Sequence, residues 1–182
     1  MSSPSQIILL LEDSRHQQFI YRYLKRLGFG THSMRVEKSP SGAGSAEQWV
    51  RERFAIEVEA RRSRQAGTKL IVIVDADLHS VRQRIGQLDQ ALQEAGVPII
   101  ADDANEIARL VPKRNIETWV LCLNGDVVDE FADYKGARDS WTSLTHVASE
   151  ILYSWTRTNA VLPTSCVESL RFGIGELRRV RL

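Results

Sequence analysis

Leu70-Ile71-Val72-Ile73-Val74-Asp75-Ala76-Asp77 is the stretch on which the fold turns. Five consecutive apolar residues, three of the first four β-branched, suit a strand covered on both faces, the environment of a central strand in a parallel sheet. A strand with one wet face would instead alternate apolar and polar residues. Parallel strands need long crossovers, and the flanking sequence supplies them. Upstream, residues 47–64 place Val50, Phe54 and Val58 four apart with a charged opposite face, and Gly67 closes that helix. Downstream, residues 81–95 read as a helix closed by Gly96.

Further out, residues 7–11 form a second apolar run followed by Glu12 and Asp13. Phe19, Ile20, Tyr23, Leu24 and Leu27 then recur at helical spacing up to Gly28. Residues 31–37 read as a weaker strand, 39–45 as a Gly- and Ser-rich loop, 97–101 as a short strand ending at Asp102 and Asp103, and 106–110 as a helical turn. Residues 115–123 read equally well as strand or helix. Strands alternating with helices in this way predict an α/β fold with a mostly parallel, Rossmann-like sheet sandwiched by helices. Residues 1–135 make up that unit. Residues 136–182, with helices over 140–157 and 165–179, are expected as a helical appendage packed on the same core, giving a single domain overall.

The chain has 182 residues and a net charge of +1, from 24 Lys+Arg against 23 Asp+Glu, so a generic basic polyanion binder is excluded and any nucleic-acid contact must be a local patch. Cys122 and Cys166 stand far apart in sequence without a CxxC spacing, which indicates neither a disulfide framework nor a thiolate zinc site. The apolar runs are too short to span a bilayer, and the first residues lack the pattern of a signal peptide. A cytoplasmic protein without membrane attachment is expected.

Acids gather at the strand ends: Glu12 and Asp13, Asp75 and Asp77, Asp102 and Asp103. Open α/β sheets place their functional crevice beyond the carboxyl ends of the strands. Residues i and i+2 of a strand share a side, so Asp75 and Asp77 are expected to present two carboxylates to one ion. All-oxygen ligation suits Mg²⁺ or Mn²⁺. A single acid ahead of a helix is more often only an N-cap, but several converging carboxylates are costly without a cation. Lys113 and Arg114 lie near the same crevice as candidates for substrate phosphates. His16, one helical turn after Glu12, and His79, two residues after Asp77, are further candidates for a ligand or a proton shuttle. The G-A-G of residues 42–44 lacks the Gly-Lys-Ser/Thr ending of a nucleotide-binding P-loop.

Glu12 at the end of the first strand and Asp75-x-Asp77 at the end of the central one resemble the two motifs of the TOPRIM family, the metal-binding catalytic domain of topoisomerases, bacterial primases and the overcoming-lysogenization-defect nucleases. The segment Asn115-Ile116-Glu117-Thr118-Trp119 is similar to one in small TOPRIM-like proteins of bacterial defence loci. The resemblance covers roughly residues 7–123. It implies a TOPRIM-like fold, a Mg²⁺- or Mn²⁺-dependent nuclease hydrolysing phosphodiester bonds in DNA or RNA, and an effector role in anti-phage defence with a protein partner or a second copy of the chain. Asp75 and Asp77 would hold the metal, Glu12 would be ligand or general base, and Glu117 would stand near the site. Where many of these proteins have Gly directly after the first Glu, this chain has Asp13. The topoisomerase reaction needs a tyrosine-bearing domain for which 182 residues leave no space.

The same opening also resembles a response-regulator receiver domain, with Asp75 as phospho-acceptor and Glu12 and Asp13 binding Mg²⁺. Against this, 62 positions separate Asp13 from Asp75, and no Lys-Pro pair follows a late strand. A third reading is a catalytically inactive module that binds metal or a partner.

Overall fold

Two buried strands, β1 (Gln6–Leu11) and β3 (Thr68–Ile73), lie side by side in parallel from Gln6 opposite Thr68 to Leu11 opposite Ile73. The computed structural model describes residues 6–40, 44–63, 67–101, 104–136 and 140–182. Within these, β2 (Met34–Lys38) pairs with the far side of β1, and β4 (Ile107–Leu110) with the far side of β3, giving an all-parallel sheet of order β2-β1-β3-β4. The helices are α1 (Ser14–Arg26), α2 (Ala46–Ser63), α3 (Val81–Glu94), α4 (Ile116–Leu123), α5 (Trp141–Trp155) and α6 (Glu168–Val180).

Strand alternation sorts the core into two layers. Ile7, Leu9, Leu11, Ile71, Ile73, Ala108 and Leu110 face α1, α4, α5 and α6; Ile8, Leu10, Leu70, Val72, Val74 and Ile107 face α2 and α3. Both layers are dry, which is why the β1 and β3 sequences are continuously apolar. The fold is thus the expected parallel α/β sandwich.

The fourth strand corrects the sequence reading. Residues 97–101 form no strand: Val97 and Ile100 plug the layer under α2 and α3, and Pro98 has no N–H to give a ladder. The strand is Ile107–Leu110, within the segment that reads as a helical turn, and all four of its residues are buried. Arg109 disguises it. Its charge is met by Asp89 Oδ1 at 3.1 Å and Glu176 Oε2 at 3.8 Å, so a basic residue sits in a buried strand. Asp102 and Asp103 lie outside the described residues. The ambiguous 115–123 segment is α4, capped by Asn115, whose Oδ1 accepts from the Thr118 N–H at 3.3 Å. All eight of its residues are buried, so no polar face reveals the helical period.

The C-terminal helices are built into the sheet as well as laid on it. Two outward-facing backbone groups of β4 are satisfied by side chains of α6: Glu176 Oε2 accepts from the Arg109 N–H at 2.8 Å, and Arg179 Nη2 donates to the Ile107 carbonyl at 2.8 Å. α6 also closes on α4. Trp119, fully buried, donates from Nε1 to Ser169 Oγ at 2.7 Å, and its ring occupies the space beside Gly173.

A methyl group at Gly173 would collide with that ring, whereas one at Gly175 would meet nothing. Gly173→Ala is therefore expected to destabilise by about 1–3 kcal/mol despite alanine's better helix propensity, and Gly175→Ala to stabilise by up to about 1 kcal/mol. Denaturant unfolding of the two variants checks the pair. Equal effects would refute the close α4–α6 contact.

Candidate functional site at the carboxyl ends of β1 and β3

Because Leu11 lies opposite Ile73, the chain leaves both strands at the same level. Glu12 Oε1 accepts from the Asp75 N–H at 2.6 Å, so a side chain continues the pairing beyond the last rung. Asp13 then starts α1 as its N-cap, accepting from the N–H groups of Arg15 at 2.8 Å and His16 at 3.0 Å.

His16 is buried between two carboxylates. Its Nδ1 lies 2.9 Å from Asp13 Oδ1 and its Nε2 3.0 Å from Asp75 Oδ1. A neutral imidazole has one N–H, so the imidazolium is the form that satisfies both contacts with ionised acids. Burial opposes that charge, but Asp75 and the hydrogen bonds to both carboxylates outweigh it and raise the His16 pKa well above its ordinary value. Asp13 is held well below the usual carboxylate range: burial alone would raise it, and the hydrogen bond and charge of His16 reverse the sign.

β3 ends at Ile73, so Asp75 and Asp77 lie beyond the strand and do not simply share one of its faces. Asp75 is 3% exposed and turned to His16. Asp77 is half-exposed, with φ +52°, and forms an isolated antiparallel bridge with Arg114, itself at φ +70°. Two non-glycine residues in the left-handed region store strain on the order of 1–3 kcal/mol each. Asp77 Oδ2 lies 3.6 Å from Arg84 Nη2, and its Oδ1 lies 3.9 Å from Lys135 Nζ. Arg84 is buried, donates from Nε to the Asp75 carbonyl at 2.9 Å and pairs with Glu47 of α2, so it pins the turn after β3 from below.

Glu117, in the first turn of α4, is 5% exposed. Its Oε1 pairs with Arg15, whose guanidinium stacks over Trp141 at 5.4 Å, and its Oε2 is buried without a hydrogen-bond partner among the described residues. Among the basic candidates, Arg114 is held by Asp133 at 3.4 Å. Lys113 donates to the His79 carbonyl at 2.5 Å and lies over the Phe131 ring, and among the described residues no carboxylate pairs with it. The His79 side chain is exposed, and its backbone closes the turn by donating from N–H to the Ala76 carbonyl at 2.9 Å.

The acids feel one another. Burial first, then the charges of Asp75 and Asp77, push Glu12 up to about 7, against the partial relief of His16 and the Asp75 N–H. Asp75 is pushed upward by burial and by Glu117, with His16 and Lys135 pulling back. The four acids singled out in the sequence therefore belong to one electrostatic cluster. Among the described residues, however, no group of three or more His, Cys, Asp or Glu side chains is already arranged to hold a metal ion. The compensating charges in the structure are the protein's own: His16, Arg15, Arg84 and Lys135. Sequence reasoning missed Arg15 and Arg84 entirely. The spacing of Asp13 and His16, an N-cap and the third residue after it, is the one local signal that the histidine faces its cap.

Neither a protein-family model, a curated protein nor a solved structure matches the chain.

Between pH 4.5 and 7 the folded state keeps a proton on Glu12 that the unfolded state has lost, so this group's contribution lowers stability as pH rises, by about 3 kcal/mol once fully ionised. Glu12→Gln retains an oxygen for the Asp75 N–H. It is expected to melt higher than wild type at pH 8, with the gap shrinking towards pH 5; a gap independent of pH would contradict the buried-acid account. His16→Ala leaves Asp75 buried without its cation and is expected to cost about 3–5 kcal/mol in denaturant unfolding at pH 7.

Proposed function

We propose that the chain is a Mg²⁺- or Mn²⁺-dependent phosphodiester hydrolase that works in the TOPRIM manner on DNA or RNA. One observation carries the reading: Glu12 from β1 binds the Asp75 N–H beyond β3, within a cluster that also includes Asp77 and Glu117. The residues fit a hard cation in kind. All four acids offer oxygen, and Glu117 Oε2 is a buried acceptor without a donor. Glu12, Asp75 and Asp77 would hold the ion, with Glu117 beside them. Such an ion, when bound, neutralises phosphate charge and acidifies water.

The remaining work falls to the chain. Glu12, held against the Asp75 N–H, would serve as ligand or as general base for an attacking water. His16 and Arg84 position Asp75, one through its carboxylate and the other through its carbonyl. Lys113, unpaired with any described acid, is the better of the two basic candidates for a substrate phosphate, because Arg114 is engaged by Asp133.

The receiver reading has less support. A phospho-acceptor must meet its donor, and Asp75 is 3% exposed with one oxygen taken by His16. Cys122 and Cys166 are free and buried, and burial pushes both thiols up, Cys166 to about 11. Inert thiols of this kind suit a reducing cytoplasm. No helix among the described residues is long and apolar enough to cross a membrane. The family resemblance extends the proposal to an effector role in anti-phage defence.

Labelled single-stranded DNA, duplex DNA and RNA incubated with Mg²⁺ or Mn²⁺ test the reading. Cleavage is expected to disappear with EDTA and to fall by about 10²-fold or more in Asp75→Asn and Glu12→Gln. Mn²⁺ should also raise the melting temperature of wild type and not of Asp75→Asn. A folded protein that neither cleaves nor responds to either ion would refute the proposal.

A further inference from the structure

A groove of about 760 Å³ opens beside the acidic cluster, between the first turns of α3 and α6. We propose that it binds unpaired bases of a single-stranded nucleic acid and leads that strand past Asp77; the inference rests on the hydrolase reading and specifies its substrate.

The groove starts at the turn that follows β3. Leu78, directly after Asp77, and Lys113, two residues before the Asn115 cap of α4, both line it. Its walls carry apolar surface that the core does not use. Leu78 is 84% exposed, Phe131 79% and Phe172 38%, and both large exposed aromatic side chains of the described residues fall in this one groove. Exposed aromatic and apolar groups concentrated in a concavity mark a binding surface. The floor is Arg109, already neutralised by Asp89 and Glu176, so it supplies shape more than charge.

The chemistry of these walls selects the strand type. A duplex turns its sugar-phosphate ridges outward, and its binding scales with the number of cations that meet them. This groove offers only Lys113 and Arg82 at its rim, and two acids share the lining: Glu168, and Glu130, whose Oε1 accepts from the Ser169 N–H at 2.9 Å. That is too little positive charge for a duplex surface. A single strand also exposes base faces, which stack on aromatic side chains beside the cations that meet its phosphates. Lys113 Nζ stands 5.2 Å from the Phe131 ring centre, which pairs a phosphate-seeking cation with a stacking platform. That pairing, in a groove that begins at the residue after Asp77, favours a nucleic acid over an apolar peptide.

Fluorescence anisotropy in EDTA, with a labelled oligothymidylate and a labelled hairpin duplex, separates binding from cleavage. The single strand is expected to bind more tightly than the hairpin. Phe131→Ala, a change at an exposed side chain, should weaken it about tenfold, and Leu78→Ala should weaken it also. Val161→Ala, 91% exposed and outside the groove, should change nothing. Lys113→Ala should flatten the log–log salt dependence by about 0.7. Equal or tighter duplex binding, no binding to either probe, or a Phe131→Ala variant that binds like wild type would overturn the inference. Phe131-dependent binding without metal-dependent cleavage would leave the groove standing and remove the hydrolase reading. Asp75-dependent cleavage indifferent to Phe131→Ala would do the reverse.

Discussion

A buried imidazolium bracketed by Asp13 and Asp75 fixes the geometry at the carboxyl end of the sheet. One ring joins the start of α1 to the end of β3, and through Asp75 it fixes the N–H that Glu12 accepts. Removing the charge would leave the buried Asp75 carboxylate facing a gap in a medium that solvates it poorly. Glu12 shows the other side of this arrangement. It has no comparable cation of its own, and burial with the charge of Asp75 pushes it up to about 7.

Much of this was legible in the sequence, for reasons that differ by element. The continuous apolar runs at 7–11 and 70–74 announced fully covered strands, and Val50, Phe54 and Val58 announced α2, because burial on both faces or on one stripe leaves a clear pattern. β4 was hidden because Arg109 breaks its apolar run, and the partners that make the burial tolerable, Asp89 and Glu176, are distant in sequence. α4 was hidden for the opposite reason: burial all round erases the period. At the site, the acids were readable from their position after strands, while their partners were not. Arg84 and Arg15 sit on helices where a basic residue ordinarily faces water, and only the tertiary arrangement turns them inward to Asp75 and Glu117.

The expectation that converging carboxylates require a metal is therefore sharpened. Four protein cations already surround the cluster, and the near balance of 24 bases and 23 acids is in part this local matching. What they leave unmet is specific: one buried oxygen of Glu117 and the elevated proton affinity of Glu12. An added cation would complete the compensation of an assembly that is already largely paired.

The seal that α6 places along β4 also limits how copies of this chain can associate. An edge strand with free backbone groups invites another strand to join it, and in many proteins that is how sheets grow across subunits. Here Glu176 has taken the outward N–H of Arg109, Arg179 has taken the outward carbonyl of Ile107, and α6 lies along the edge. An incoming strand would have to dislodge α6 and strip Leu170, Ile174, Leu177 and Val180 from the core. Assembly through a continuous sheet is closed on that side, so any higher-order form must be built through the β2 edge or through helix surfaces.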